Sequence, residues 1–308
     1  MFRYVLQRSA EMVVVVFGVV TLVFFVLRIA SGDPARLMSP PGEQEEIVQL
    51  TREKLGTDRP ILVQFGDYLL GITRGDLGVS FHGGQPVLEE ILEAVPNSAM
   101  LALVTIVVSS SLALLLGIGA ALQVHRLFDR IVLVYVSLAL ATPSFWLAIV
   151  LVFFFSVRLR WLPAVDLQGP QSFVLPVATM AVALTPVLIR TVRQSFLETL
   201  ADDHVRAARA RGIPERRVIL VHGLKVAALP LVTLIGLQLG LILAGSYVVE
   251  VIFNWPGIGK LTLDAVASRN FPMIQGGVLV AALAFVIVNF LVDLTYAALD
   301  PRIRLGAK

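Results

Sequence analysis

The stretch His204-Val205-Arg206-Ala207-Ala208-Arg209-Ala210-Arg211-Gly212-Ile213-Pro214-Glu215-Arg216-Arg217 decides how the rest of the chain is read. It opens with helix formers, reaches a stop at Gly212, has Pro214 two residues later and closes on an arginine pair. That order predicts a short helix followed by a turn. So many guanidinium groups cannot lie in hydrocarbon. Yet apolar runs flank the stretch on both sides, at about 173–189 and 226–253. It is therefore read as a docking element held at one membrane face between two spans.

Composition agrees with that reading. Of 308 residues, 57% are hydrophobic and only 15% charged, with a mean hydropathy of +0.84. Soluble domains carry about 25% charged residues, so this is an integral membrane protein. The net charge of +3 does not mark a nucleic-acid binder, because the arginines gather in loops beside apolar runs, where orientation signals sit. With no cysteine there is no disulfide framework, thiolate nucleophile or Cys-ligated metal. His82, His125, His204 and His222 fall in loops or at span ends. The chain has no Gly-x-x-x-x-Gly-Lys-Ser/Thr phosphate loop, no His-Glu-x-x-His pair and no Gly-x-Ser-x-Gly elbow. No catalytic residue, metal site or cofactor is therefore assigned. Energy for any transport step would then have to come from an ion gradient or a partner subunit.

Working outward, apolar runs at about 9–29, 98–124, 131–157, 173–189, 226–253 and 275–299 predict an all-α polytopic protein with six transmembrane helices. The first run is longer than the apolar core of a signal peptide, about 7 to 15 residues. The fourth is short, contains Pro176 and Pro186, and is expected to run on as helix through Arg190–Leu200. Pro143 and Pro230 predict kinks. Three parts result: 1–30 with the first span, a polar insertion at 31–95, and a five-span core at 96–308 carrying the basic helix near 203–213. Within the insertion, 43–55 reads as helix and 62–70 as an amphipathic helix with Phe65, Tyr68 and Leu69 on one side.

Arg3, Arg8, Arg126, Arg130, Arg190, Arg193 and the arginines of 206–217 collect on one side, with Lys225, Arg302, Arg304 and Lys308; the opposite short loops hold Arg158, Arg160, Lys260 and Arg269. The rule that positive loops stay inside then places both termini in the cytoplasm and the insertion outside. Small residues at four-residue spacing mark close helix contacts. Ala113, Gly117 and Ala121 form one such stripe, and Gly236, Gly240 and Ala244 another. Packing within the chain is the first reading of both, a subunit interface the second. Gln238 is a candidate for a polar path or for a bond to a neighbouring helix. Glu250 near the outer end of the fifth span, and Asp293 four residues after Asn289 on the sixth, are read as capping groups or loop-arginine partners ahead of substrate contacts.

Ten short motifs then carry a resemblance over nearly the whole chain. Among them are Gly32-Asp33-Pro34-Ala35, Asp58-Arg59-Pro60, Gly75-Asp76-Leu77-Gly78, Thr142-Pro143, the Arg206–Gly212 stretch, Trp255-Pro256-Gly257-x-Gly259 and Leu299-Asp300-Pro301-Arg302. The sequence resembles the permease subunits of bacterial ATP-binding-cassette (ABC) importers, in the dipeptide and oligopeptide branch, which share the type I importer permease fold. Nickel and glutathione permeases are similar neighbours. The resemblance implies a bacterial inner-membrane location, a homologous second permease, two ABC ATPase domains and an extracytoplasmic peptide-binding protein. It also implies that His204, Val205, Arg206, Ala207, Ala208, Arg209, Arg211 and Gly212 belong to a coupling helix that fits a cleft on an ATPase subunit. Where general importers of this class carry Glu-Ala-Ala, this chain has Arg206-Ala207-Ala208. The alanines at 207, 208 and 210 are the face expected to lie against the partner.

Overall fold

The computed structural model describes residues 2–30, 35–36, 44–165, 167–219 and 224–299. For some helical residues, Ala244 and Asp293 among them, only the backbone is described. Every named element in it is a helix. In chain order they are α1 (Phe2–Ala30), α2 (Glu45–Leu55), α3 (Ile61–Arg74), α4 (Val87–Leu122), α5 (Leu127–Ala141) and α6 (Ser144–Leu151), which continues in a π-helical stretch to Arg158. Then follow α7 (Val174–Ala201), α8 (Asp203–Ala210), α9 (Leu224–Gly245), α10 (Tyr247–Ile252), α11 (Ile258–Ala267) and α12 (Phe271–Leu299).

Four helices are long and apolar enough to cross a membrane unaided: α1, α4, α7 and α12. The third expected span is broken instead of kinked. Thr142 and Pro143 are both extended, and α5 meets α6 at 101°. Proline disfavours helical geometry in the residue before it, which is the local cause of the break. Counting that pair as one span gives five among the described residues; the remaining expected span coincides with α9, whose 22 residues are about 33 Å long at 1.5 Å each. The long apolar helices thus number four, or five with the bent pair, and α9 stands where the sixth is expected.

α7 does run on past Ile189, as one helix to Ala201, about 42 Å long. Pro186 lies inside it. Its most extensive neighbour is α4. There Gly117 is required for close approach: a Cβ would come within 2.8 Å of a Val192 methyl and 3.1 Å of the Ile189 carbonyl oxygen. The second stripe packs in the same way, with Gly236 against Val292 and Gly240 against Phe285 of α12. At these glycines both stripes lie against neighbouring helices of the same chain.

The insertion is ordered by α1. Phe65 and Tyr68 of α3 lie 5.2 and 5.5 Å, ring to ring, from Phe24. Phe65 also reaches Phe17 at 6.3 Å, so α3 lies along α1 instead of clear of it. Outward faces of α1, such as Val13, Val14 and Leu22, stay exposed, as lipid contact requires.

Candidate functional site

The basic stretch forms α8 and a closed turn. Asp202 alone separates α7 from α8; it is extended (φ −72°, ψ 151°) and its carboxylate accepts the Asp203 N–H at 2.7 Å. Arg211 follows the last helical residue, and Gly212 then takes φ +75°. The Gly212 N–H donates to the Arg209 carbonyl at 2.9 Å and the Ile213 N–H to the Ala208 carbonyl at 3.3 Å. These two bonds make a Schellman motif, and they satisfy carbonyls that a bare helix end would leave open. A left-handed residue here costs about 1 kcal/mol unless it is glycine.

One face of α8 is occupied by the chain itself. Val205 is fully buried and Ala208 nearly so, packed with Val218, Leu200 and Ile213. This corrects the expectation that Ala207, Ala208 and Ala210 form one outward surface. At 100° per residue, Val205 and Ala208 share a side, and the turn folds Ile213 back over it. The outward residues are Arg206, Ala207 and Ala210, with His204 and Arg211 also exposed.

Charges tie the turn down. Arg209 reaches Glu215 with both Nε (3.2 Å) and Nη2 (2.7 Å). The Arg209 guanidinium holds the Glu215 carboxyl below its usual range, and Glu215 in turn raises Arg209. Arg206 bonds Asp203, and His204 Nδ1 lies 3.2 Å from Asp202. Arg211, Arg216 and Arg217 are exposed and make no ion pair among the described residues. The result is a stiff, cationic projection joined to α7 through one residue.

A buried ion pair holds the same end of α7. Arg193 donates from Nε and Nη2 to Asp129 of α5 at 2.8 and 3.0 Å, and Asp129 also accepts the His125 N–H at 3.0 Å. Asp129 is 2% exposed. Sequence reading counted Arg193 only as an orientation signal and passed over Asp129. Its one signal was an acid standing alone between Arg126 and Arg130.

The other end of α7 carries a second constellation. Phe173, just before α7, stacks edge-on against Trp255 at 4.7 Å. Beside Trp255, Glu250 is fully buried. Its Oε1 accepts from Ser98 Oγ at 2.7 Å and Ser246 Oγ at 2.6 Å, and its Oε2 accepts the Lys260 N–H at 3.0 Å. Ser98 Oγ also accepts the Ile258 N–H at 2.9 Å. Two of the open amides at the start of α11 are thereby satisfied, and a carboxylate is well placed at a helix N-terminus. Gly257 and Gly259 leave room for the carboxylate: a Cβ on either would press into it. Trp255 Nε1 donates to the Asn97 carbonyl at 3.1 Å, and Asn97 Nδ2 to the Pro256 carbonyl at 2.8 Å. Glu250 is thus a cap, as expected, but its partners are hydroxyls and an amide and include no arginine. Its side chain is enclosed by these groups.

The remaining expected residues do not converge. Gln238 is half-buried on α9. Asn289 donates to the Phe285 carbonyl at 2.8 Å and lines a groove of about 230 Å³ with Arg8, Glu11 and Phe290. The side chains of Asp293 and Ala244 lie outside the described residues.

Comparison with known proteins gives consistent results. Residues 113–305 match the family described as binding-protein-dependent transport system inner membrane component, and residues 1–102 match the N-terminal family of the same systems' membrane components. The glutathione transport system permease protein GsiC of Salmonella choleraesuis is 39% identical over 304 residues, covering 99% of each chain. Its counterpart in Escherichia coli K12 is 38% identical over the same length and coverage. Among solved structures, an amino acid ABC transporter with histidines resembles the chain at a TM-score of 0.49 and 15% identity, covering 68% of this chain and 94% of that one.

Proposed function

Because the chain belongs to the family of binding-protein-dependent transport system inner membrane components, and so is the permease subunit of an ABC importer in the inner membrane, we propose that it imports short peptides, glutathione first among them. Glutathione is itself a tripeptide, and relatives matching end to end at 38–39% identity carry its name. In this reading the chain pairs with a homologous permease, and substrate arrives from an extracytoplasmic binding protein on the side of the insertion. Both termini lie in the cytoplasm, and α8 docks into an ATPase subunit there.

The observation that carries the coupling role is the shape of α8. It is short, capped at both ends, packed on one face against its own chain and exposed on the other. A push on Ala207 and Arg206 would meet the Leu200 contact and the single-residue joint at Asp202, and would pass into α7. The gap between the permeases would then open alternately to either side. Switching by rigid-body motion of packed helices needs elements of this stiffness. The chain would do no covalent chemistry; ATP hydrolysis would belong to its partners.

The test is uptake by the complete complex in proteoliposomes, with labelled glutathione, dipeptides and nickel offered separately. ATP-dependent glutathione or dipeptide uptake that needs the binding protein is expected. Uptake of nickel alone would refute the substrate assignment, and uptake by this chain without ATPase subunits would refute the mechanism.

A further inference from the structure

α7 has a weak point in its middle. Pro186 has no N–H to give to the Val182 carbonyl, and its ring presses on the turn before it, so a helix bends or breaks at such a residue unless something outside holds it. Pro143 stands at a break of 101° between α5 and α6. α7 nevertheless continues as one helix from Val174 to Ala201. Pro186 lies about 18 Å along it from the first residue and about 22 Å from the last. A bend there would fall between the α8 joint and the Glu250 node. The helix that carries a push from α8 is thus least stiff on the route that the push must take.

α5 lies along that stretch and is tied to it at two points. The hydroxyls of Tyr135 and Thr185 share a hydrogen bond at 2.7 Å, and Thr185 is fully buried in the turn that the proline weakens. Arg193, on the inward arm of α7, makes its paired bonds to Asp129 at 2.8 and 3.0 Å. Residue numbers rise on α5 as they fall on α7, so the two helices run antiparallel. Between the ties, Val132 and Val136 are buried in one cluster with Leu188, Ile189 and Val192. α4 also packs along α7, as Gly117 does against Val192, but apolar contact is non-directional and permits sliding. The two ties have fixed geometry, and together they set the direction of the inward arm relative to α5.

We propose that α5 is a splint across Pro186, and that Tyr135 and Asp129 are positioning residues for coupling. By pinning the weakened turn and the inward arm of α7 to a second helix, they let a displacement of α8 reach the far end of α7 instead of being absorbed in a bend. The inference rests on the reading of α8 as the coupling element and adds the place where its motion would otherwise be lost.

The experiment uses the complete complex in proteoliposomes. Tyr135→Phe removes one tie and keeps the ring; uptake per ATP hydrolysed should fall about fivefold, the factor by which loss of one neutral hydrogen bond shifts an equilibrium. Pro186→Ala supplies the missing N–H, so adding it to Tyr135→Phe should return uptake per ATP to within about twofold of the unaltered complex. A tie that served stability alone would lower Tm and leave uptake per ATP where it was. Asp129→Asn should act in the same direction and more strongly, since its bonds are charge-assisted. Thr185→Val removes the first tie from its other side and serves if Tyr135→Phe does not assemble. Bending is read separately. The chain has no cysteine, so spin labels on Val174→Cys and Glu198→Cys, both exposed, report a separation of about 36 Å along the helix, with cysteines of the partner subunits replaced. One narrow distance is expected in the otherwise unaltered chain, a shorter and broader distribution in Tyr135→Phe, and the narrow one again once Pro186→Ala is added. Unchanged uptake per ATP in an assembled Tyr135→Phe complex would overturn the proposal. So would a loss that Pro186→Ala does not repair, or a distance that stays narrow in Tyr135→Phe. The distances test the splint whether or not α8 couples, whereas normal coupling after Ala207→Trp would reject the coupling reading itself.

Discussion

The two ends of α7 are built on opposite principles. At one end Glu250 is fully buried, and Ser98, Ser246 and Lys260 satisfy both its oxygens. At the other end α8 stands out from the chain with Arg206, Ala207 and Ala210 exposed and its ion pairs near solvent. A buried carboxylate held by three donors fixes one geometry, because any shift strands a polar group in a low-dielectric site. An exposed helix with a rigid outline holds its own shape and leaves a surface for another molecule. The node sets how α4, α10 and α11 sit together; the projection has little structural duty beyond its inner face.

The largest effect that sharpens this contrast is expected at the node. Glu250→Ala would strand two hydroxyls and one amide in a buried pocket, costing about 3 kcal/mol or more. Thermal unfolding of the purified permease pair should show a marked fall in Tm, and Gly257→Ala should show the same sign because its Cβ presses into the carboxylate. An unchanged Tm for both would remove the distinction between the two ends.

Next in size is Gly212→Ala. The φ of +75° and the open space around it mean that strain alone acts, about 1 kcal/mol. Hydrogen exchange confined to 203–217 should quicken a few-fold while the rest of the chain is unaffected. A global change would mean that the Schellman turn supports more than α8.

Smaller still is a pH effect at the same turn. Glu215 is held below its usual range by Arg209, so the pair's contribution is present above the unfolded carboxylate value of about 4.3. It is lost as pH falls through the lower, folded value. Protection from exchange in 203–217, measured against the intrinsic rate at each pH, should therefore fall only in acid, and Glu215→Gln should show the reduced protection already at neutral pH. High salt should act in the same direction, because the pair is exposed.

Much of this was legible in the sequence where the cause is local. Gly212 followed by Pro214 gave the end of α8, and the spacing of Phe65, Tyr68 and Leu69 gave the half-buried side on which α3 packs. Gly117, Gly236 and Gly240 announced close packing. What could not be read depends on partners far away in sequence. Glu250 finds Ser98, 152 positions earlier, and Arg193 finds Asp129, 64 positions earlier. The face of α8 turned inward was misjudged because the alanines look alike; Val205, the larger apolar neighbour, was the better signal. The 101° break at Thr142-Pro143 exceeds what proline alone requires, and the packing of α6 against α7 and α10 accompanies it.

The most direct test of the central claim is Ala207→Trp in the reconstituted complex. Ala207 is exposed and away from the α8 inner face, so assembly, Tm and basal ATP hydrolysis should remain near those of the unaltered protein. Substrate uptake per ATP hydrolysed should fall by about tenfold or more, since a bulky side chain would unseat a helix docked in a cleft. Unchanged uptake per ATP in an assembled Ala207→Trp complex would contradict the assignment of α8 as the coupling element.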